Sequence, residues 1–343
     1  MTMIRACAFV LLGMLPALAA ASVQPVTSGS GLDYQAAILR ASSGGARIVV
    51  FERLDASVSG DLWLTRSIDG GQTWSPPVPI IASAANERHP ALVETAPGAF
   101  ALFYLKGSGA GSSYRLWRAT SSDGITFSEQ GMLDLGWATG GEVNPHVIRR
   151  ADGRLTMSYQ RLSGGVYVAE SSDGGVTWDA QQTAINANGQ LPRITYRDSD
   201  GLYLASYQTG GTDLQMWVKT TTDLRDWGAP AQAFATSGNN HDSLPVVMRD
   251  DAFVLFWIRE AGGQFDIAAR RSADGANWSD DIVVTASADE NDVEPHPLVG
   301  ASPGLVELYW GRESPLGSGD YDIVRDPAVV VLDAIFADGF GDG

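Results

Sequence analysis

Six segments of this chain gather residues that could do chemistry. They read Asp33-Tyr34-Gln35-Ala36, Glu87-Arg88-His89-Pro90, Glu142-Val143-Asn144-Pro145-His146, Gln190-Leu191-Pro192-Arg193, Asn239-Asn240-His241-Asp242-Ser243 and Asp292-Val293-Glu294-Pro295-His296. All four histidines of the chain fall in them. Acids, amides and arginines in one place suit a hydroxyl-rich ligand. A carboxylate accepts from hydroxyls, an amide does both, and a guanidinium donates in a fixed fork. Glu142, Asp242 and Glu294 are candidate catalytic carboxylates for glycoside hydrolysis. A retaining pair must stand about 5–5.5 Å apart and an inverting pair about 6.5–9.5 Å. Gln35, Arg88, His89, His146, Arg193, His241 and His296 are candidate ligand-binding residues around them. The competing reading is that these groups only fill and hydrogen-bond one another. Histidine and carboxylate also suit a metal, but no close pair such as His-x-x-x-His supports that, so no metal or cofactor is assigned. Ser243 beside His241 and Asp242 is no triad, because sequence neighbours rarely meet the required geometry.

The elements that position these segments follow from a repeat. Ser67-Ile68-Asp69-Gly70-Gly71-Gln72-Thr73-Trp74 recurs in variant form around Asp123, Asp173, Asp223 and Asp274, at intervals of 54, 50, 50 and 51 residues. An interval near 50 is the length of one four-stranded propeller blade. The first repeat holds β-rich runs at 35–40, 47–53, 61–67 and 78–81, punctuated by Gly44-Gly45, Ser59-Gly60 and Gly70-Gly71. Similar runs recur near 90–134, 145–185, 192–234 and 244–285, and a sixth unit without the Asp turn follows. No stretch has helical periodicity. The fold class predicted is all-β, a six-bladed β-propeller of four-stranded antiparallel blades. Either 328–332 or 23–27 supplies the strand that closes the ring. The six segments above then lie at the starts of the innermost strands, where all four histidines converge on one channel mouth.

The repeated turn explains itself structurally: aspartate accepts from its own backbone, glycine supplies positive φ, and tryptophan covers the hairpin. This motif is the Asp-box, or BNR repeat, and over residues 32–326 the chain resembles the sialidase superfamily. The resemblance implies a substrate carboxylate gripped by an arginine of an aromatic-Arg-Ile-Pro segment, but Tyr34-Gln35-Ala36-Ala37 stands there. Phe51-Glu52-Arg53-Leu54-Asp55 resembles the family segment with a second arginine leading to the acid/base aspartate. The resemblance thus makes Arg53 a ligand-binding residue and Asp55 a catalytic candidate, with Asp61 as the alternative acid. It also implies a tyrosine nucleophile at the start of the last blade. Glu294-Pro295-His296-Pro297 stands there instead, and Tyr309 lies in the next strand.

Outside the repeats, Arg5, an apolar run over 8–18 and Ala19-Ala20-Ala21-Ser22 read as a signal peptide over 1–21. The propeller then spans 22–332, with a short tail at 333–343. The single cysteine, Cys7, falls in the leader, so the exported chain has no disulfide. The formal charge is −17, or −18 once Arg5 is removed, which disfavours nucleic acid and anionic membranes. No run after residue 21 is long enough to span a bilayer. The expectation is a secreted or periplasmic monomer that binds or cleaves an extracellular glycan, or alternatively a non-catalytic exported interaction module.

Overall fold

Apolar residues alternating with polar ones in runs of seven to eleven dominate the chain, and they form strands. The computed structural model describes residues 23–331 apart from 30, 56–58, 109–112, 212–213 and 234–238. The expected leader over 1–21 and tail over 333–343 therefore lie outside the described residues. Among the described residues there are 24 strands and no helix, hence none long and apolar enough to cross a membrane. Four sheets each hold four consecutive antiparallel strands, beginning with Asn86–Ala96, Glu142–Arg149, Gln190–Arg197 and Asn240–Val247. An eight-stranded sheet contains two more such groups, beginning with Leu32–Arg40 and Asn291–Val299, joined by one parallel bridge between Leu32 and Tyr321. Each first strand packs against the first strand of the next group, and Asn291–Val299 returns to Leu32–Arg40.

The closing strand is the N-terminal one. Gln24–Pro25 pairs antiparallel with Tyr321–Val330, Gln24 opposite Arg325. Ala328 to Val330 continue that same strand, with Val329 opposite Val306 and Val330 opposite Leu305, so they form no fourth strand of their own.

The core repeats as well. Every second strand carries an aromatic residue two positions before a polar one: Phe51 and Arg53, Tyr104 and Lys106, Tyr159 and Arg161, Tyr207 and Thr209, Trp257 and Arg259, Trp310 and Arg312. The six aromatics are fully buried. Burying side chains of this size supplies much of the apolar driving force. The basic residue lies opposite an acid of the first strand in four groups: Asp33 to Arg53 at 2.6 Å, Glu87 to Lys106 at 3.2 Å, Glu142 to Arg161 at 2.9 Å and Asp292 to Arg312 at 2.7 Å.

The Asp-box turns act as expected of a turn. Asp69 accepts the Thr73 hydroxyl on Oδ2 at 2.5 Å and, on Oδ1, the Thr73 amide at 3.0 Å and the Ser67 hydroxyl at 2.7 Å, and these bonds hold its carboxyl well below the usual range. Three turns also dock on a neighbouring group, where Arg325, Arg118 and Arg197 donate to the carbonyls of Gly70, Gly174 and Ala273. A Cβ on Gly175, whose φ is +83°, would stand 2.4 Å from Phe103, so this position needs glycine for both backbone and space.

The seam between the last group and the first is polar. Glu307, 4% exposed, receives Arg325 at 2.6 Å, Arg47 at 2.9 Å and Arg40 at 3.1 Å, and Tyr309 donates its hydroxyl to the same carboxylate. Glu307→Gln leaves three guanidinium groups without their shared counter-charge. It is expected to lower unfolding stability by about 3 kcal/mol, read by urea or thermal denaturation. A change under about 0.5 kcal/mol would show that the seam does not depend on this carboxylate.

Candidate functional site

Each first strand carries one irregularity at the same place. The pairing with the second strand slips by one residue between Tyr34 and Ala37, Arg88 and Ala91, Val143 and His146, Gln190 and Arg193, His241 and Leu244, and Val293 and His296. Inside each slip stands a residue with positive φ: Gln35 at 43°, His89 at 51°, Asn144 at 54°, Leu191 at 46°, Asp242 at 48° and Glu294 at 57°. These are β-bulges with a left-handed residue, a conformation that non-glycine residues adopt rarely and at a cost of order 1–3 kcal/mol. The bulge re-aims the side chains that follow it. Together they line a cavity of about 620 Å³ that includes Gln35, His89, His146, Arg193, Asp242, Glu294 and His296.

Three of the strained amides are held from the preceding group. Glu52 accepts the His89 N–H at 3.1 Å, Gln160 the Leu191 N–H at 3.0 Å, and Gln208 the Asp242 N–H at 3.1 Å. Glu52, Gln160 and Gln208 occupy one equivalent position, between the repeated aromatic and the residue two places beyond it. These residues position the site although sequence reasoning passed over them. The available signal was the repeat Phe-Glu-Arg, Tyr-Gln-Arg, Tyr-Gln-Thr at 51–53, 159–161 and 207–209. Tyr34 was also missed. Burial and the charges of Glu294, Asp242 and Glu52 push its hydroxyl pKa strongly up, so it keeps its proton.

The expected site residues separate into two sets. Gln35, His89, His146, Arg193, Asp242, Glu294 and His296 share the cavity. Glu142 does not: it is 2% exposed and ion-paired to Arg161 at 2.9 Å and Arg115 at 3.1 Å. Asp55 lies on an exposed turn, where its Oδ1 accepts the Ser59 amide at 2.9 Å. Arg53 is held by both oxygens of Asp33 at 2.6 and 2.7 Å and lies over Trp63 at 4.5 Å. Arg88 grips Glu52 at 2.7 and 3.2 Å. His241 does not line the cavity but stands beside Asp242, with its Nδ1 3.0 Å from Oδ2 and its ring edge-on to Phe265. Thus three histidines, not four, face the cavity. Tyr309 is in the core, against Trp74 and Glu307. No three His, Asp or Glu side chains among the described residues stand in position to hold a metal ion.

Electrostatics inside the cavity are strongly perturbed. Burial, and then the charge of Asp242, raise Glu294 from 4.5 to about 8, while Arg193 and Gln35 pull it down less. Gln35 Nε2 donates to Glu294 Oε1 at 3.4 Å. His296 falls from 6.5 to about 4, mainly by burial and then by Arg193. His89 and His146 are driven well down by burial and by neighbouring arginines. At neutral pH, Glu294 therefore carries a proton and these three imidazoles are uncharged. His146 Nδ1 accepts the Ile194 amide at 3.2 Å, which leaves its proton on Nε2.

Comparison with known proteins places this architecture. A family model described as a BNR repeat-like domain matches residues 66–206. A protein of unknown function from Dyadobacter fermentans DSM 18053 superposes with a TM-score of 0.74 at 16% identity, covering 90% of this chain and 97% of that one. The sialidase of Trypanosoma rangeli in complex with the inhibitor DANA gives 0.68 at 13% identity, covering 89% of this chain. A mutant of the NanB sialidase of Streptococcus pneumoniae gives 0.67 at 10%, covering 91% of this chain and 70% of that one. The chain spans 57% of the length of the T. rangeli enzyme. Among curated protein sequences none matches. The chain carries a BNR repeat-like domain over residues 66–206 and shares the β-propeller fold of these sialidases. Identities this low establish fold and leave the chemistry to be argued from the site.

The two shifted groups give opposed pH effects. His296 has a folded pKa below its unfolded one, so stability is lost as pH falls from about 6.5 to about 4. Glu294 has a folded pKa above its unfolded one, so stability is lost as pH rises from about 4.5 to about 8. Glu294→Gln should flatten the decline in Tm toward pH 8 by about 2 °C or more, and His296→Gln should flatten the acid side. Tm profiles that keep both slopes in the variants would remove these residues as their source.

Proposed function

We propose that the chain is an exported, six-bladed propeller that acts as a monomer on an extracellular glycan at its channel mouth. In this reading it cleaves a glycosidic bond, with Glu294 as proton donor and Asp242 as the paired carboxylate. The observation that carries it is the pairing of these carboxyls at equivalent bulges of adjacent groups, one protonated at neutral pH beside the other. A general acid must hold its proton near the working pH, and burial next to a like charge is how proteins arrange that. Neutral His89, His146 and His296 and the Arg193 guanidinium supply the hydrogen bonds that orient a sugar. The solved sialidases support a carbohydrate-active reading by fold.

The chain departs from the sialidase pattern at two points. Gln35 stands where the resemblance places the first arginine, and Tyr309 lies in the core with its hydroxyl on Glu307. Asp55 and Glu142 are not assigned a catalytic role, because the one is on an exposed turn and the other is ion-paired twice. Export rests on the apolar leader over 1–21 and on a mature chain without cysteine.

The test is hydrolysis of a fluorogenic glycoside panel, including a sialoside, by residues 22–343. Glu294→Gln is expected to lower kcat at least ~100-fold and Asp242→Asn by ~10-fold or more, with activity falling above about pH 8 as Glu294 loses its proton. Turnover unchanged in both variants would overturn the assignment. Turnover on no sugar would leave the alternative, a non-catalytic exported interaction module.

A further inference from the structure

The fully buried acids of this molecule all have partners. Asp33, Glu52, Glu87, Glu142, Asp292 and Glu307 are each at most 4% exposed, and each has an arginine or lysine within 3.2 Å. Buried Glu313 is satisfied differently, by the Asn291 amide and the Gly319 N–H, both at 2.7 Å. Asp242 and Glu294, which are partly buried in the cavity, have neither arrangement. Among the described residues, no arginine or lysine forms an ion pair with either of them. Among the same residues, the only side-chain bond to Asp242 is with His241 at Oδ2, and the only one to Glu294 is from Gln35.

Two acceptors at this place also lack any hydrogen-bond partner. Asp242 Oδ1 and Gln35 Oε1 are buried and unpaired, and their residues occupy the bulges on either side of Glu294 in ring order. An unmet buried acceptor costs about 1–3 kcal/mol, more for a charged group, and it asks for a donor. Other groups of the cavity offer donors. Arg193, whose Nη1 donates to the Pro192 carbonyl at 3.1 Å, and the Nε2–H of His146 are donors. The unpaired acceptors thus flank Glu294 while these donors stand on other groups, and Glu94, Asp198 and Asp251 also line the cavity.

We propose that Gln35, Asp242 and Glu294 form a subsite for a protonated amine, and hence that the glycan is amine-bearing. This rests on the glycan reading above and names its substrate class. An ammonium has three donors and one positive charge, which matches the unpaired oxygens and supplies the cation that nearly every fully buried acid here already has. Asp242 supplies its counter-charge, and Glu294 offers an acceptor oxygen while keeping the proton that the proposed cleavage requires. Burial holds that proton on first, then the charges of Asp242 and Glu52, while Arg193 and Gln35 favour its loss.

The experiment is calorimetric titration of residues 22–343 at pH 7 with β-1,4-linked disaccharides of glucosamine, N-acetylglucosamine and glucose. It is run in two buffers of different ionisation enthalpy. The glucosamine disaccharide should bind at least 10-fold tighter than the others, without release of a proton from the protein. Asp242→Asn should weaken it at least 10-fold while melting cooperatively. Asp280→Asn, which removes an equal charge from the exposed surface, should change nothing. Equal or tighter binding of the acetylated or neutral disaccharide would overturn the amine subsite and leave the glycan reading standing. Amine binding that is insensitive to Asp242→Asn, or that falls equally in Asp280→Asn, would reduce it to general attraction to an acidic protein. Binding of none of the three also overturns it, and the hydrolysis panel then decides the glycan reading separately.

Discussion

One extra residue in each first strand governs the centre of this molecule. A regular strand would send alternate side chains up and down its sheet and leave the channel lined by whatever faced it. The inserted residue, held at positive φ, breaks that alternation at the equivalent position of every group. Such a backbone is unfavourable alone and persists because its surroundings over-determine it. In three groups the surroundings are identifiable: Glu52, Gln160 and Gln208 reach across to accept the strained amide of the following strand. The bond that stabilises the bulge is therefore also a bond between neighbouring groups. Site geometry and ring cohesion share the same atoms.

Carboxylates in this protein divide by their partners. Those two residues before the bulge, such as Asp33 and Glu142, face the base two places beyond the buried aromatic and are neutralised within their own sheet. Those on the bulge, Asp242 and Glu294, face the cavity with no arginine or lysine as ion-pair partner among the described residues. A shift of two positions along a strand thus separates a structural acid from a functional one. That distinction is electrostatic and follows from burial with or without a guanidinium.

Much of the architecture was legible in the amino-acid order. Five Asp-box turns at near-equal spacing marked the all-β repeat and the channel-facing segments, because a turn motif depends on local backbone chemistry that sequence records directly. The side on which a residue ends up was less legible. Glu142 and Glu294 stand in similar segments, Glu-Val-Asn-Pro-His and Glu-Pro-His, yet Glu142 lies two places before its bulge residue, Asn144, while Glu294 is the bulge residue itself. His241 lies one place before Asp242 and so stands beside the cavity rather than in it. Arg53 and Arg88 read as ligand-binding residues, but strand pairing and packing give them Asp33 and Glu52 as partners. A one-residue slip in pairing exchanges the faces of a strand, and only long-range pairing decides where it falls. The closing strand was undecidable for a related reason, since both candidates were short and β-rich.

That closing strand bears on the order in which the molecule can assemble. Gln24 meets Arg325, which lies 301 residues further along the chain, only after that residue has been synthesised. Contacts this far apart along a chain are slow to form, because the entropy of bringing the ends together must be met before any of the bonds reward it. Four of the sheets can mature locally from their own consecutive strands. The last third strand, by contrast, keeps an unpaired edge until the N-terminal segment returns, and Arg325 waits there for both Gln24 and the first Asp-box turn. Folding of this ring thus ends where it began, and the N-terminal strand acts as its latch.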